Sequence, residues 1–142
     1  MDAEQAVRLR RVVNKLARQF NGSSTDEGLT PTQASVLGLV CGRGPVSLGE
    51  LARLEHLNPT MLSRVVGALD ERQLLVRTPD PDDLRSASLT ATELGRTVHE
   101  RIRDQRATAV SRAAAELSEP ELRALVRALP VLERLAETLA AG

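Results

Sequence analysis

The side chains of this chain suit hydrogen bonding and charge pairing better than bond making. Its 142 residues include one cysteine, Cys41, and two histidines, His56 and His99. Neither histidine has a partner at metal-ligand spacing. No nucleophile–base pair and no phosphate-cradling glycine loop is present, so no enzyme, metal or cofactor is expected. Only Arg43 adds positive charge near Cys41, so that thiol reads as packing rather than as a low-pKa sensor. His56 and His99 read as surface or satisfied histidines. The residues of interest are Asn58, Thr60, Ser63 and Arg64, set within seven positions around Pro59. A helix that enters the major groove carries short polar or forked side chains on its first two turns, where base edges lie. Thr60, Ser63 and Arg64 form such a set, and Asn58 at the cap would lie near a phosphate. Arg64 can fork onto O6 and N7 of a guanine, a contact worth about 1–3 kcal/mol of discrimination. It reads equally as a solvated arginine on an exposed helix face. Further on, Arg77 and Arg85 flank a turn, and a single arginine can read a narrow A·T-rich minor groove by its potential alone.

Composition narrows the classes. Phe20 is the sole aromatic, so the stacking platforms of single-strand and RNA binders are missing. Apolar residues make up 42% and charged residues 27%, which suits a folded soluble domain. A monomer of this length buries roughly 68–70% of its unfolded surface and needs no disulfide to fold. No apolar run reaches the roughly 18 residues of a membrane span. The first residues have no apolar core or cleavage site, so the expected compartment is the cytoplasm. Net charge is zero but unevenly placed: residues 1–20 carry five basic and two acidic side chains, residues 47–90 five basic and seven acidic. A nucleic-acid-binding region is usually biased the other way.

Helix punctuation supplies the elements. Ala6, Leu9, Val13, Leu16 and Phe20 recur at helical spacing over residues 3–20, and the basic residues lie largely off that stripe. Thr30-Pro31-Thr32-Gln33 is a capping box with proline at the first helical position. The helix it opens carries Val36, Leu37, Leu39 and Val40. Ser47-Leu48-Gly49-Glu50 is another box, opening a short helix to about His56. Asn58-Pro59 starts the next, which runs through Met61, Leu62, Val65, Val66 and Leu69 to about Arg72. Two helices joined so tightly must cross at a large angle, as in a helix-turn-helix. Leu75–Thr78 and Ser86–Thr90 then read as strands around a Pro-Asp turn, a hairpin wing. Two long helices follow, roughly 92–117 and 119–139, the second capped by Ser118 with Glu121.

That last helix carries Leu122, Leu125, Leu129, Leu132, Leu135 and Leu139, a seam repeating close to every 3.5 residues. Pro130 inside it should bend it. Alanines at 107, 109 and 113–115 on the preceding helix permit close backbone approach. These seams exceed what a small wing domain can cover, so a homodimer through the terminal helices is expected. A positively charged first helix then reads as a solvated face of that dimer.

Taken in order, these pieces resemble the MarR family of winged helix-turn-helix transcriptional regulators. The likeness runs from Leu29 to Gly95, through Leu29-Thr30-x-x-Gln33, Gly44-Pro45-Val46-Ser47-Leu48-Gly49-Glu50-Leu51-Ala52 and Asn58-Pro59-Thr60-Met61-Leu62-Ser63-Arg64-Val65-Val66. It closes on Asp83-Leu84-Arg85 and Thr92-Glu93-Leu94-Gly95-Arg96. Three positions depart from the family pattern. Gln73 replaces the glycine that follows the recognition helix, implying strain or a different helix end. Leu84 stands where a second wing arginine is common, and Ala91 where a leucine precedes Thr92. Local spacing places the next helix cap at Thr90, through Thr90-x-x-Glu93; the family register places it at Thr92, which is the position expected here.

The resemblance implies a mostly α winged helix-turn-helix with long N- and C-terminal dimerisation helices and a small β-wing. Residues 29–91 would form the DNA-binding region, with 1–28 and 92–142 the helical dimerisation region. It implies a homodimer on a pseudo-palindromic double-stranded DNA operator, contacted through Asn58, Thr60, Ser63, Arg64, Arg77 and Arg85. The wing motif implies that Asp83 orients Arg85 by a bidentate pair. A small-molecule effector is implied between the wing domain and the dimer helices, in a pocket that this composition would line with Leu, Val, Ala and Arg. Asp80, Asp82 and Asp83 near phosphates would lower general affinity and make it salt-limited. A second reading keeps the fold without the DNA: a dimeric ligand-binding or protein-interaction module, favoured by the acidic balance of 47–90, Leu84 and Gln73.

Overall fold

Local capping chemistry sets most of the helix boundaries. The computed structural model describes residues 1–21, 27–79, 82 and 87–142. Along the chain lie α1 (Ala3–Asn21), α2 (Pro31–Arg43), β1 (Val46–Ser47), α3 (Leu48–Glu55), α4 (Pro59–Glu71), β2 (Leu75–Pro79), β3 (Ala87–Ala91), α5 (Glu93–Ala114) and α6 (Glu119–Ala141). Thr30 is extended, its Oγ1 accepts from Gln33 N at 3.2 Å, and its own N–H donates to Gln33 Oε1 at 3.0 Å. That is the full reciprocal box. At α3 only half of the expected box forms: Ser47 Oγ accepts from Glu50 N at 3.1 Å. The Glu50 carboxylate turns instead to Arg43 at 3.7 Å and Arg53 at 3.9 Å.

The first of two compact units, Met1–Gln105, holds the core. Val36, Leu37 and Val40 of α2, Leu51 of α3, and Leu62, Val66 and Leu69 of α4 are buried together with Leu74, Leu75 and Leu89. α5 adds Val98 and Ile102. The sheet is antiparallel in the order β1-β3-β2, with Val46 opposite Leu89 and Leu75 opposite Ala91. This is the expected winged helix-turn-helix, mostly α with a small β-wing. Ala91, a small residue at a core position, is nearly buried all the same.

α4 ends in a tertiary arrangement that local patterns do not contain. Gln73 adopts φ 59°, the left-handed conformation a glycine would take without strain. Its N–H donates to Asp70 O at 2.9 Å and Leu74 N–H to Leu69 O at 3.0 Å, the paired bonds of a Schellman end. So the helix stops where a glycine would stop it, and the strain alternative is the one observed. Thr92 then closes the junction. Its N–H donates to Leu74 O at 3.1 Å, and its hydroxyl donates to Gln73 O at 2.6 Å while accepting from Gly95 N at 3.0 Å. The cap of α5 is therefore Thr92 and not Thr90, which is strand residue 90 paired with Val76. A Cβ on Gly95 would come within 1.9 Å of Leu74 O, so no side chain fits there.

The second unit is Arg106–Gly142. α5 ends at Ala114, before the expected residue 117, because the chain tightens into three-residue turns: Glu116 N–H donates to Ala113 O and Leu117 N–H to Ala114 O. Ser118 starts α6 by donating both its N–H and its hydroxyl to Glu121 Oε2, at 2.8 and 2.6 Å. α6 is continuous across Pro130 and carries no buried residue.

Candidate nucleic-acid interface

One face of α4 is consumed by the core and the other is left to solvent. Leu62, Val66 and Leu69, spaced by four and three, are at most 1% exposed. Thr60, Ser63 and Arg64 on the opposite side are exposed. Asn58 is extended at φ −71° and its Oδ1 accepts from Met61 N at 2.8 Å. That bond uses one acceptor and leaves the amide Nδ2 as a donor beside the helix N-terminus, where an anion is favoured. The cap Asn58 and the three α4 residues expected from sequence are thus brought together at the start of a rigidly backed helix.

Met61 joins them. Helical spacing assigned it to the apolar set, yet it is 50% exposed. The signal was present in the register: Met61 falls one place before Leu62, off the Leu62–Val66–Leu69 line. A thioether beside Thr60 and Arg64 offers an apolar surface of the kind that meets a thymine methyl.

Arg77 lies exposed on β2 opposite Leu89. Among the described residues neither Arg64 nor Arg77 has an ion pair. Asp83 and Arg85, and the pairing expected between them, lie outside the described residues. The turn that brings α3 into α4 is made by His56, at φ 53° and ψ 38°, with its N–H donating to Ala52 O. His56 is therefore a helix-end residue, exposed and left-handed.

The other singular residues meet in a cleft of about 190 Å³ lined by Cys41, Gly42, Arg96, His99, Glu100 and Arg103. It is smaller than the roughly 300 Å³ of an ordinary small-molecule site, and it lacks the Leu, Val and Ala expected beside Arg in an effector pocket. The His99 ring packs on α2 at Gly38, where an added Cβ would lie 3.2 Å from its Cε1. Cys41 is half-buried, with Sγ 4.0 Å from Gly95 O. Burial pushes its thiol above the ordinary cysteine range, Arg96 opposes that shift and Glu100 adds to it. A protonated thiol packed on the core is the outcome, as the sequence suggested. Among the described residues no group of three or more His, Cys, Asp or Glu side chains gathers as a metal site. No helix among the described residues is long and apolar enough to cross a membrane.

Comparison with known proteins places these features in company. The MarR family model matches residues 29–87, from the loop before α2 to the first residue of β3. An HTH-type transcriptional regulator of Bacillus subtilis, YkoM, is 31% identical over 127 residues, covering 84% of this chain and 80% of its own length. The HTH-type transcriptional repressor MdtR of the same organism is 25% identical over 130 residues, or 92% and 84% of the two chains. A solved regulator-like protein of Pseudomonas aeruginosa PA01 superposes with a TM-score of 0.82 at 28% identity, over 94% of each chain.

Proposed function

This chain belongs to the MarR family of DNA-binding transcriptional regulators, and from that premise we propose that it works as a homodimer reading a pseudo-palindromic operator. α4 enters the major groove with Thr60, Ser63 and Arg64 on base edges and Asn58 at a phosphate. Arg77 and, on the wing, Arg85 oriented by Asp83 reach the adjacent minor groove or backbone. Two-fold symmetry sets the half-sites about 34–36 Å apart.

The observation that carries this reading is the two-sidedness of α4: a fully buried apolar line behind an exposed face that presents Thr60, Ser63 and Arg64 on its first two turns. Support for a second copy comes from the terminal helices, each considered alone. α1 has no buried residue and leaves Val13, Leu16 and Phe20 at 43–47% exposure. α6 leaves Leu125, Leu129 and Leu135 at 38–48%. Family membership also supports a small-molecule effector that changes the separation of the two recognition helices.

The test starts from a random duplex pool selected on the purified protein, followed by fluorescence anisotropy at two salt concentrations beside a scrambled duplex. Arg64→Ala should lose about 1–3 kcal/mol on the selected duplex and flatten discrimination at the base pair it reads. Arg77→Ala should weaken all duplexes alike and reduce the salt slope by about one. A pool that never enriches would sink the operator reading. The acid excess of residues 47–90 would then mark a dimeric ligand-binding or protein-interaction module on the same fold.

A further inference from the structure

The end of α4 is tied to α5 at two places of different character. The first is the junction already described, where Thr92 grips Gln73 O and Gly95 lies against Leu74 with no room to slip. The second runs through the segment before α2. Arg72, the C-cap of α4, donates from Nη2 to the carbonyl oxygen of Glu27 at 2.7 Å. The Glu27 carboxylate in turn lies 3.8 Å from Arg101 of α5. Gly28, at φ 74°, turns the chain directly behind Glu27, and Leu29, 1% exposed, anchors it in the core.

Among the ion-paired acids of the described residues Glu27 is the most enclosed, its side chain 19% exposed against 39–83% for the others. Its partner Arg101 is 60% exposed and 3.8 Å away, so water screens the pair from the arginine side and it acts by fixing geometry more than by strength. Leu62, Val66 and Leu69 hold α4 along its buried line, and the two ties at its end limit the small rotations that such packing still allows. Thr60 and Arg64 lie about 18 and 12 Å along α4 from Arg72, so a tilt of about 5° moves Arg64 by about 1 Å. Displacement on that scale is enough to spoil bidentate geometry.

We infer that Glu27 is a positioning residue for the recognition helix: bridging Arg72 and Arg101, it fixes the tilt of α4 on α5, and releasing it weakens operator binding without unfolding the chain. The inference rests on the DNA-reading role of α4. Charge alone predicts the opposite sign, because removing a carboxylate from a DNA-binding protein should tighten its hold on phosphates.

The experiment compares full-length wild type with Glu27→Gln, Arg101→Gln and, as a charge control on α6, Glu119→Gln. Operator affinity, thermal midpoint and backbone amide chemical shifts are measured for each. Expected for Glu27→Gln is an operator affinity lower by about fivefold or more, a midpoint within a few degrees of wild type, and shifted amides at Thr60–Arg64. Arg101→Gln should move the same amides, and Glu119→Gln should leave affinity and those amides alone. Unchanged or tighter binding by Glu27→Gln, with shifts confined to residues near 27 and 101, overturns the inference. If wild type itself selects no duplex, the DNA reading fails while the amide shifts still decide whether Glu27 sets the tilt.

Discussion

Two sets of helices in this chain share a periodicity and differ in its consequence. In α2, α3 and α4 the apolar positions close on one another, and every fully buried residue among those described falls between Leu29 and Ile102. In α1 and α6 the apolar rows are as regular, yet neither helix buries a single residue. Amphipathic spacing therefore reports that a helix has a face to cover, and says nothing about whether this chain covers it. The first set makes a folded unit; the second leaves apolar surface of the kind that marks an interaction site.

The sharpest way to break this comparison is to truncate one leucine from each set. Leu51→Ala removes a side chain that is 0% exposed, and should destabilise the protein by about 2–5 kcal/mol at any protein concentration. Leu129→Ala removes one that is 48% exposed. Its effect should be concentration-dependent, a weakened dimer by sedimentation equilibrium and a midpoint that falls on dilution, because the stability of a dimer follows mass action. If Leu129→Ala leaves the dissociation constant unchanged, α6 is not part of the dimer surface. Equal, concentration-independent losses in both variants would erase the distinction itself.

A smaller effect is expected at the end of α4, and it bears on what sequence can reveal. Thr30, Ser47, Asn58 and Ser118 were legible as helix starts because a cap is satisfied within three residues of itself. The polar face of Thr60, Ser63 and Arg64 was legible for the same local reason, three and four residues apart on one helix. The α4–α5 junction was not. Thr92 wins the cap over Thr90 because its hydroxyl also meets Gln73 O, nineteen positions back, and no window of neighbouring residues contains that bond. Met61 escaped by a single place in register. The Glu27 bridge escaped too, since its partners lie 45 and 74 residues away. Gln73 tests the junction directly. A non-glycine residue in the left-handed region is strained by about 1–2 kcal/mol, so Gln73→Gly should recover up to about 1 kcal/mol after the added chain entropy of glycine. Chemical denaturation reads this as a higher midpoint with an unchanged slope. A destabilised variant would mean that the Gln73 side chain contributes contacts beyond its backbone.

The smallest effect concerns α6, whose N-terminus is held by its own residues whatever covers the rest of it. The Ser118 hydroxyl, and then its backbone N–H, hold the Glu121 carboxyl below the usual carboxylate range. A lowered folded-state pKa means that the ionised form is favoured by folding. The contribution is therefore complete above the ordinary glutamate pKa and disappears as pH falls through the lowered value. Acidification below about pH 4 should accordingly raise amide exchange at the first turn of α6 before the core of the first unit responds. Ser118→Ala should show part of that fraying already at neutral pH and a smaller further change on acidification, because its backbone N–H still donates to Glu121. The core around Leu37 and Leu51 contains no buried ionisable side chain among the described residues, so its exchange should stay flat across that window. Simultaneous loosening of both would show that the two regions melt as one, and the difference between a self-covered and an uncovered set of helices would then be one of surface alone.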